Sequence, residues 1–245
     1  VLAGLIQPRA MIDPAAPVLA VTGLARERRI ASGSGVEAVG AGGDPARLRI
    51  LLDGRVPPHC RAVISFGIAG GLDPALKPGD VVVGTGIVTP DGRRPADLDA
   101  AAAIIGLLAG LPNRVISADL AGVDAAVLAV GDKTELRERT GAAAVDMESH
   151  VAANFAGRHG LPFAALRVIC DPADRALPAF AANALTPEGE PDIRGVLSAL
   201  LTGRAKVGDL MRLGRDSNAA FAVLSRCRQC LGTGLGIPLP PATEP

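Results

Sequence analysis

The chain has 245 residues, 49% of them hydrophobic, which supplies one large core and is short for two domains. Lysine plus arginine equal aspartate plus glutamate at 25 each, and no block of one sign occurs, so the electrostatic footprint of a nucleic-acid binder is missing. The longest apolar stretch, residues 100–111, falls well short of the roughly 20 residues that span a bilayer, and the cysteines Cys60, Cys170, Cys227 and Cys230 are too few and irregular for a disulfide framework, which fits a reducing cytoplasm.

Residues 1–16 carry Pro8 and Pro14 and no basic n-region and read as an N-terminal extension. From Pro17 short apolar runs alternate with helical segments: a strand over 18–22, a helix over 24–31, a strand over 36–41 and a helix over 45–52. Residues 61–66 form a near-continuous apolar run that ends in Gly67-Ile68-Ala69-Gly70-Gly71, the pattern of a buried strand feeding a turn with exposed backbone. Further strands are predicted over 80–88, 114–118, 126–130, 142–145 and 163–169, with helices over 98–108, 133–140 and 147–159. Beyond Pro191 the periodicity is helical, over 193–201, 207–215 and 217–231, before a proline-rich end. This predicts a single-domain α/β core over 17–190, a three-layer α/β/α arrangement around a central mixed sheet. Helices over 191–232 pack on it, and 233–245 form a tail.

Three segments can carry chemistry. The glycines of 67–71 let backbone amides approach an anion or a sugar, although a plain tight turn reads equally well. In Ala144-Val145-Asp146-Met147-Glu148 an apolar run meets acids at a strand-to-helix turn. Asp146 suits the helix N-terminus, and Glu148 is a bidentate acceptor where α/β proteins contact ligands. In Leu166-Arg167-Val168-Ile169-Cys170-Asp171-Pro172 a buried strand presents Asp171, a candidate proton donor, just ahead of Asp174 and Arg175, which could also form a salt-bridged turn. Gly33-Ser34-Gly35 with Gly40 lacks dinucleotide-fingerprint spacing and reads as a loop. His59, His150 and His159 are isolated, so no metal is called. Cys227 and Cys230, the one C-x-x-C, sit in a helical tail without the context of a redox or zinc site.

Taken in this order, residues 65–83, Val145-Asp146-Met147-Glu148 and Arg167-Val168-Ile169-Cys170-Asp171 resemble the purine nucleoside phosphorylase and methylthioadenosine/S-adenosylhomocysteine nucleosidase superfamily over residues 18–174. Residues 145–152 and 171–178 with the helical tail further resemble its hopanoid-associated branch. The resemblance implies a phosphorylase-type fold and cleavage of an adenine nucleoside, with adenosylhopane as a lipid-linked substrate. A soluble methylthioadenosine/S-adenosylhomocysteine nucleosidase and a futalosine hydrolase are the alternatives on the same fold, and a nucleoside- or isoprenoid-binding protein without catalysis the alternative of another class.

In roles the resemblance implies, Asp171 is the catalytic acid at the purine, Glu148 and Met147 hold the ribose, Leu120 and Ala121 with Asp171 line the base pocket, and Gly67, Ile68, Ala69 and Gly70 flank the incoming nucleophile. The first loop, Gly23-Leu24-Ala25-Arg26-Glu27-Arg28-Arg29, carries positive charge where hydrolytic relatives have a glutamate run. Arg26 resembles the phosphate-binding arginine of the phosphorylases, and inorganic phosphate is therefore a candidate co-substrate. No cofactor is implied. A homodimer or higher homo-oligomer, in the cytoplasm or in peripheral contact with the inner membrane surface, completes the expectation.

Overall fold

In the computed structural model, which describes residues 13–55, 59–178, 189–190 and 207–239, the predicted alternation of runs is realised. It reads β1 (Val18–Thr22), α1 (Ala25–Ala31), β2 (Val36–Gly40), α2 (Pro45–Asp53), β3 (Ala62–Gly71), β4 (Val81–Thr89), β5 (Gly92–Pro95), α3 (Leu98–Leu108), β6 (Val115–Gly122), α4 (Val130–Thr140), β7 (Ala144–Asp146), α5 (Ser149–Arg158), β8 (Phe163–Asp171) and α6 (Val207–Leu231). The strands form one mixed sheet in the order β2-β1-β3-β7-β6-β4-β5, with β8 paired to both β3 and β4. Because β3 also pairs β7 and β4 pairs β6, the strands β3, β8, β4, β6 and β7 close on themselves as a partial barrel.

Period-two alternation sorts the strand side chains into two cores. Leu19, Val21, Val63, Val82 and Ala165 meet Leu48 and Leu52 of α2 and Val151, Phe155 and Ala156 of α5. Val18, Ala20, Ile64, Phe66, Val81 and Leu166 meet Ile104 and Leu108 of α3 and Ala220, Leu224 and Cys227 of α6. The sheet is thus covered on both faces, which is why its inner strands read as unbroken apolar runs. Helix starts follow side-chain chemistry: the Asp44 carboxylate accepts the amides of Ala46 and Arg47 at the head of α2, and Asp97 accepts that of Ala100 at the head of α3.

Several boundaries differ from the sequence reading. Residues 126–129 are a loop leading into α4, and Val130 is already its first residue, so the strand predicted over 126–130 is absent. The helix predicted from 147 begins at Ser149, because Asp146 takes the amides of Glu148 and Ser149 and holds the turn before it. The two helices predicted over 207–215 and 217–231 are one, since Asp216 and Ser217 remain helical, with Asp216 paired to Arg175. The short strand β5 carries no apolar signal and was not predicted. Residues 33–36 make a turn closed by a bridge between Gly33 and Val36. The helix predicted over 193–201 lies outside the described residues, as do residues 1–12 of the extension and 240–245 of the tail. No helix among the described residues is long and apolar enough to cross a membrane.

Candidate active site

The C-terminal ends of β1, β2, β3, β6, β7 and β8 converge on a cavity of about 610 Å³, the position at which open α/β sheets bind ligands. Its walls include Gly23, Leu24 and Glu27 after β1, Gly42, Gly43 and Arg47 after β2, Ile68, Ala69 and Gly70 in β3, and Met147 and Glu148 after β7. Cys170 and Asp171 close β8, while Val123, Ala126, Val127 and Leu177 supply an apolar side.

One wall is organised by Arg167, which is fully buried on β8. Its Nη2 donates to Ser65 Oγ at 2.6 Å, Asp146 Oδ1 at 2.8 Å and Ser149 Oγ at 3.2 Å, and lies 3.4 Å from Glu148 Oε2. Burial opposes the Arg167 charge, but the carboxylates of Asp146, Glu148 and Glu27 outweigh it and hold the guanidinium ionised. Asp146 has no capacity left for a ligand, since it also takes the amides of Glu148 and Ser149 and the Ser149 hydroxyl. Glu148 faces the cavity with its carboxyl pushed up to about 8, by burial first, against the opposing pull of Arg167 and with the help of Asp146 and Glu27.

Glu27 stands at the third position of α1 and turns back into the site, only 1% exposed. Its Oε2 accepts the amides of Gly23 at 2.8 Å and Leu24 at 2.7 Å, and its Oε1 accepts that of Ile68 at 2.7 Å. A glutamate reaching back to the amides that open its own helix is half of a capping box. Here the same carboxylate ties the first loop to the glycine-rich strand. Burial raises its pKa, partly countered by Arg167 and the three amides. A Cβ at Gly67 would strike the Glu27 carboxylate and come within 2.7 Å of Arg167 Nη1, so glycine is required there by the close approach of two side chains.

Across the cavity Asp171, 4% exposed, receives Lys133 Nζ on Oδ2 at 2.6 Å and the Cys170 thiol on Oδ1 at 3.0 Å. Lys133, from α4, is wholly buried and also donates to the carbonyls of Pro172 and Arg175, both at 2.9 Å. Arg175 itself pairs with Asp216 of α6, so the turn after β8 is tied to that helix rather than closed by Asp174.

Of the residues named from sequence, Asp171, Glu148, Met147, Ile68, Ala69 and Gly70 meet at one cavity. Gly67 lies behind its wall. Leu120 and Ala121 are buried in the apolar clusters and do not line it. Arg26 does not reach it either: its guanidinium bonds Asn218 Oδ1 at 2.7 Å and stacks 4.3 Å over Phe221, both on α6. Successive helix residues point about 100° apart, and in α1 it is Glu27 that faces the site. Sequence reasoning missed Glu27, because Leu24 at the head of the helix has no side-chain acceptor and the capping-box signature is incomplete. It also gave no role to Arg167, four residues before Asp171 on β8, or to Lys133 and Arg47, whose approach depends on long-range packing. Among the described residues no group of three or more His, Cys, Asp or Glu could hold a metal ion.

A family model described as the phosphorylase superfamily matches residues 20–202, and the chain belongs to that superfamily. No curated protein sequence matches it. Among solved structures, it is similar to the 5′-methylthioadenosine/S-adenosylhomocysteine nucleosidase of Neisseria meningitidis in complex with methylthio-immucillin-A, at a TM-score of 0.66 and 17% identity, over 88% of this chain and 98% of that one. The native futalosine hydrolase of Helicobacter pylori strain 26695 gives 0.62 and 16%, over 88% and 97%. A mutant of the Helicobacter pylori methylthioadenosine nucleosidase with 5′-methylthioadenosine in its active site gives 0.62 and 15%, over 86% and 97%. At these identities the likeness is one of fold.

Proposed function

We propose that the chain hydrolyses the N-glycosidic bond of an adenine nucleoside, with Asp171 as the acid at the purine, Glu148 as the acceptor of the ribose hydroxyls and Glu27 as the base toward water. The observation that carries the reading is the convergence of these three buried carboxyls on one cavity. Breaking the C1′–N9 bond leaves positive charge on the ribose and sends an electron pair to the purine. The site therefore needs a proton donor at the base and a polar, hydrogen-bonding grip at the sugar. Asp171 donates to purine N7, and Glu148 takes the ribose hydroxyls beside Met147. Water held near Ile68 loses its proton to Glu27 as its oxygen closes on C1′. Water is favoured over phosphate because the candidate phosphate ligand Arg26 is turned to α6 and Glu27 faces the cavity from the first loop in its place.

The purine preference and a substituted 5′ carbon are supported by the nucleosidases and the futalosine hydrolase that share the fold, and by the apolar side formed by Val123, Val127 and Leu177. Methylthioadenosine, S-adenosylhomocysteine or futalosine types of substrate fit a cavity of about 610 Å³. Adenosylhopane is the finer reading that residues 145–152 and 171–178 suggest, and its rigid hydrocarbon body would extend out over the apolar side. Purified enzyme is to be given each nucleoside with and without phosphate while the free purine base is measured, adenine from the adenosine types and hypoxanthine from futalosine. Release independent of phosphate is expected, release that requires phosphate would make the chain a phosphorylase, and tight binding without release would make it a binding protein. Light scattering of the same preparation tests the expected homo-oligomer.

A further inference from the structure

Lys133 is the one buried lysine among the described residues, and a lysine with no exposure is uncommon unless something fixes its charge. Its Nζ has three acceptors within 3 Å: Asp171 Oδ2, the Pro172 carbonyl and the Arg175 carbonyl. Donation to all three uses the three N–H bonds of an ammonium, whereas a neutral amine has only two. Two of these acceptors are backbone groups of the turn that carries Asp171, so the lysine fixes both the carboxyl and the segment around it. Oδ2 is occupied by the ammonium, which leaves Oδ1, beside the Cys170 thiol at the cavity wall, as the oxygen able to work on a ligand.

We infer that Lys133 is a positioning residue for the leaving-group step, holding Asp171 through Oδ2 and stabilising the negative charge that Asp171 acquires when its Oδ1 proton passes to the purine. The inference rests on the nucleosidase reading above. As the C1′–N9 electron pair moves into the purine ring, the Oδ1–H bond breaks and an N7–H bond forms. Asp171 is left as a carboxylate 2.6 Å from an ammonium, and solvent returns the proton after adenine leaves. No proton leaves Lys133. Because both side chains are almost wholly buried, the pair acts with little screening, and its ammonium is already in position before the charge appears.

The test uses two substrates that differ in whether the leaving group needs a proton. Adenine departs with proton donation. The 4-nitrophenyl group of 4-nitrophenyl β-D-ribofuranoside departs as a stable anion without it. Their kcat/KM values are measured on the same preparations of the full chain and of Lys133→Gln, Lys133→Met and Asp171→Asn. Because each ratio comes from one preparation, it does not depend on how much of a variant has folded.

The expected result is that both lysine variants lower adenine release relative to nitrophenol release by about 10-fold or more, a part of the roughly 10²- to 10⁴-fold that an acid supplies, and that Asp171→Asn lowers it further. Equal falls on both substrates, or an unchanged ratio, would overturn the inference and make Lys133 purely structural. A wild-type enzyme that cleaves neither compound would sink the nucleosidase reading first, and the inference with it.

Discussion

Glu27 Oε1 accepts the backbone N–H of Ile68 at 2.7 Å, a bond between residues 41 apart in the chain that locks the first loop onto the glycine-rich strand. If this carboxylate takes the proton of the attacking water, Glu27→Gln removes the base while keeping the size of the side chain. The expected loss is about 10²- to 10⁴-fold in kcat with a much smaller change in KM. Steady-state adenine release measures both, and a change confined to KM would remove Glu27 from the chemical step.

Asp171 has two separable contributions. Asp171→Asn should lower adenine release by roughly 10²- to 10⁴-fold. Asp171→Ala additionally leaves Lys133 charged and buried without its counter-ion, and removing one partner of a buried pair costs about 3–5 kcal/mol. Urea unfolding of the two variants side by side separates the effects, with Asn the more stable of the two because its amide oxygen can still accept from Nζ.

The Glu148 carboxyl stands at about 8 against an ordinary value of 4.5. The folded chain therefore keeps a proton on Glu148 that the unfolded chain releases between those two pH values. The stability this contributes is fully present below 4.5 and is lost as pH rises toward 8. Glu27, also raised, acts in the same direction. Glu148→Gln should flatten the decline of unfolding free energy across that window, and denaturant titrations at a series of pH values check it. An equally steep decline in the variant would move the effect to another group.

Gly67→Ala places a methyl group against the Glu27 carboxylate and Arg167 Nη1. Overpacking of this kind costs about 1–3 kcal/mol, and the carboxylate cannot yield without giving up its amides. A lower melting temperature together with lost adenine release is expected. Full activity in a destabilised protein would show that Glu27 can shift without consequence.

Arg26→Ala tests the phosphate question from the other side. The guanidinium lies on Phe221 and Asn218, outside the cavity, so the variant should lose about 0.5–1 kcal/mol of stability from the lost cation–π contact. Adenine release should change little, with or without phosphate. A loss of activity restored by high phosphate would return Arg26 to the site.

The layered fold was legible because its signals are local: apolar runs of strand length, helical periodicity over 98–108 and the glycines after Phe66. Asp171 and Glu148 stood out for the same reason, each ending an apolar run. Residues 126–130 misled because the apolar character of Ala126 and Val127 belongs to a cavity wall and not to a strand. The first loop misled through its three arginines. Only the helical turn decides that Glu27 points inward and Arg26 outward. Lys133 was beyond reach of the sequence, since nothing near it announces a partner 38 residues away.

The closure of the sheet has its narrowest seam at β7, which pairs β3 through two residues, Gly70 with Val145 and Gly71 with Ala144, and β6 through three. That same three-residue strand runs directly into Met147 and Glu148. Local opening is expected first where pairing is shortest, which is at β7, the strand that leads into the proposed ribose acceptor Glu148. A bound nucleoside would clamp the seam as well as fill the cavity. Occupancy could then be read as slowed exchange at Val145 and Asp146, even with a ligand that is never cleaved.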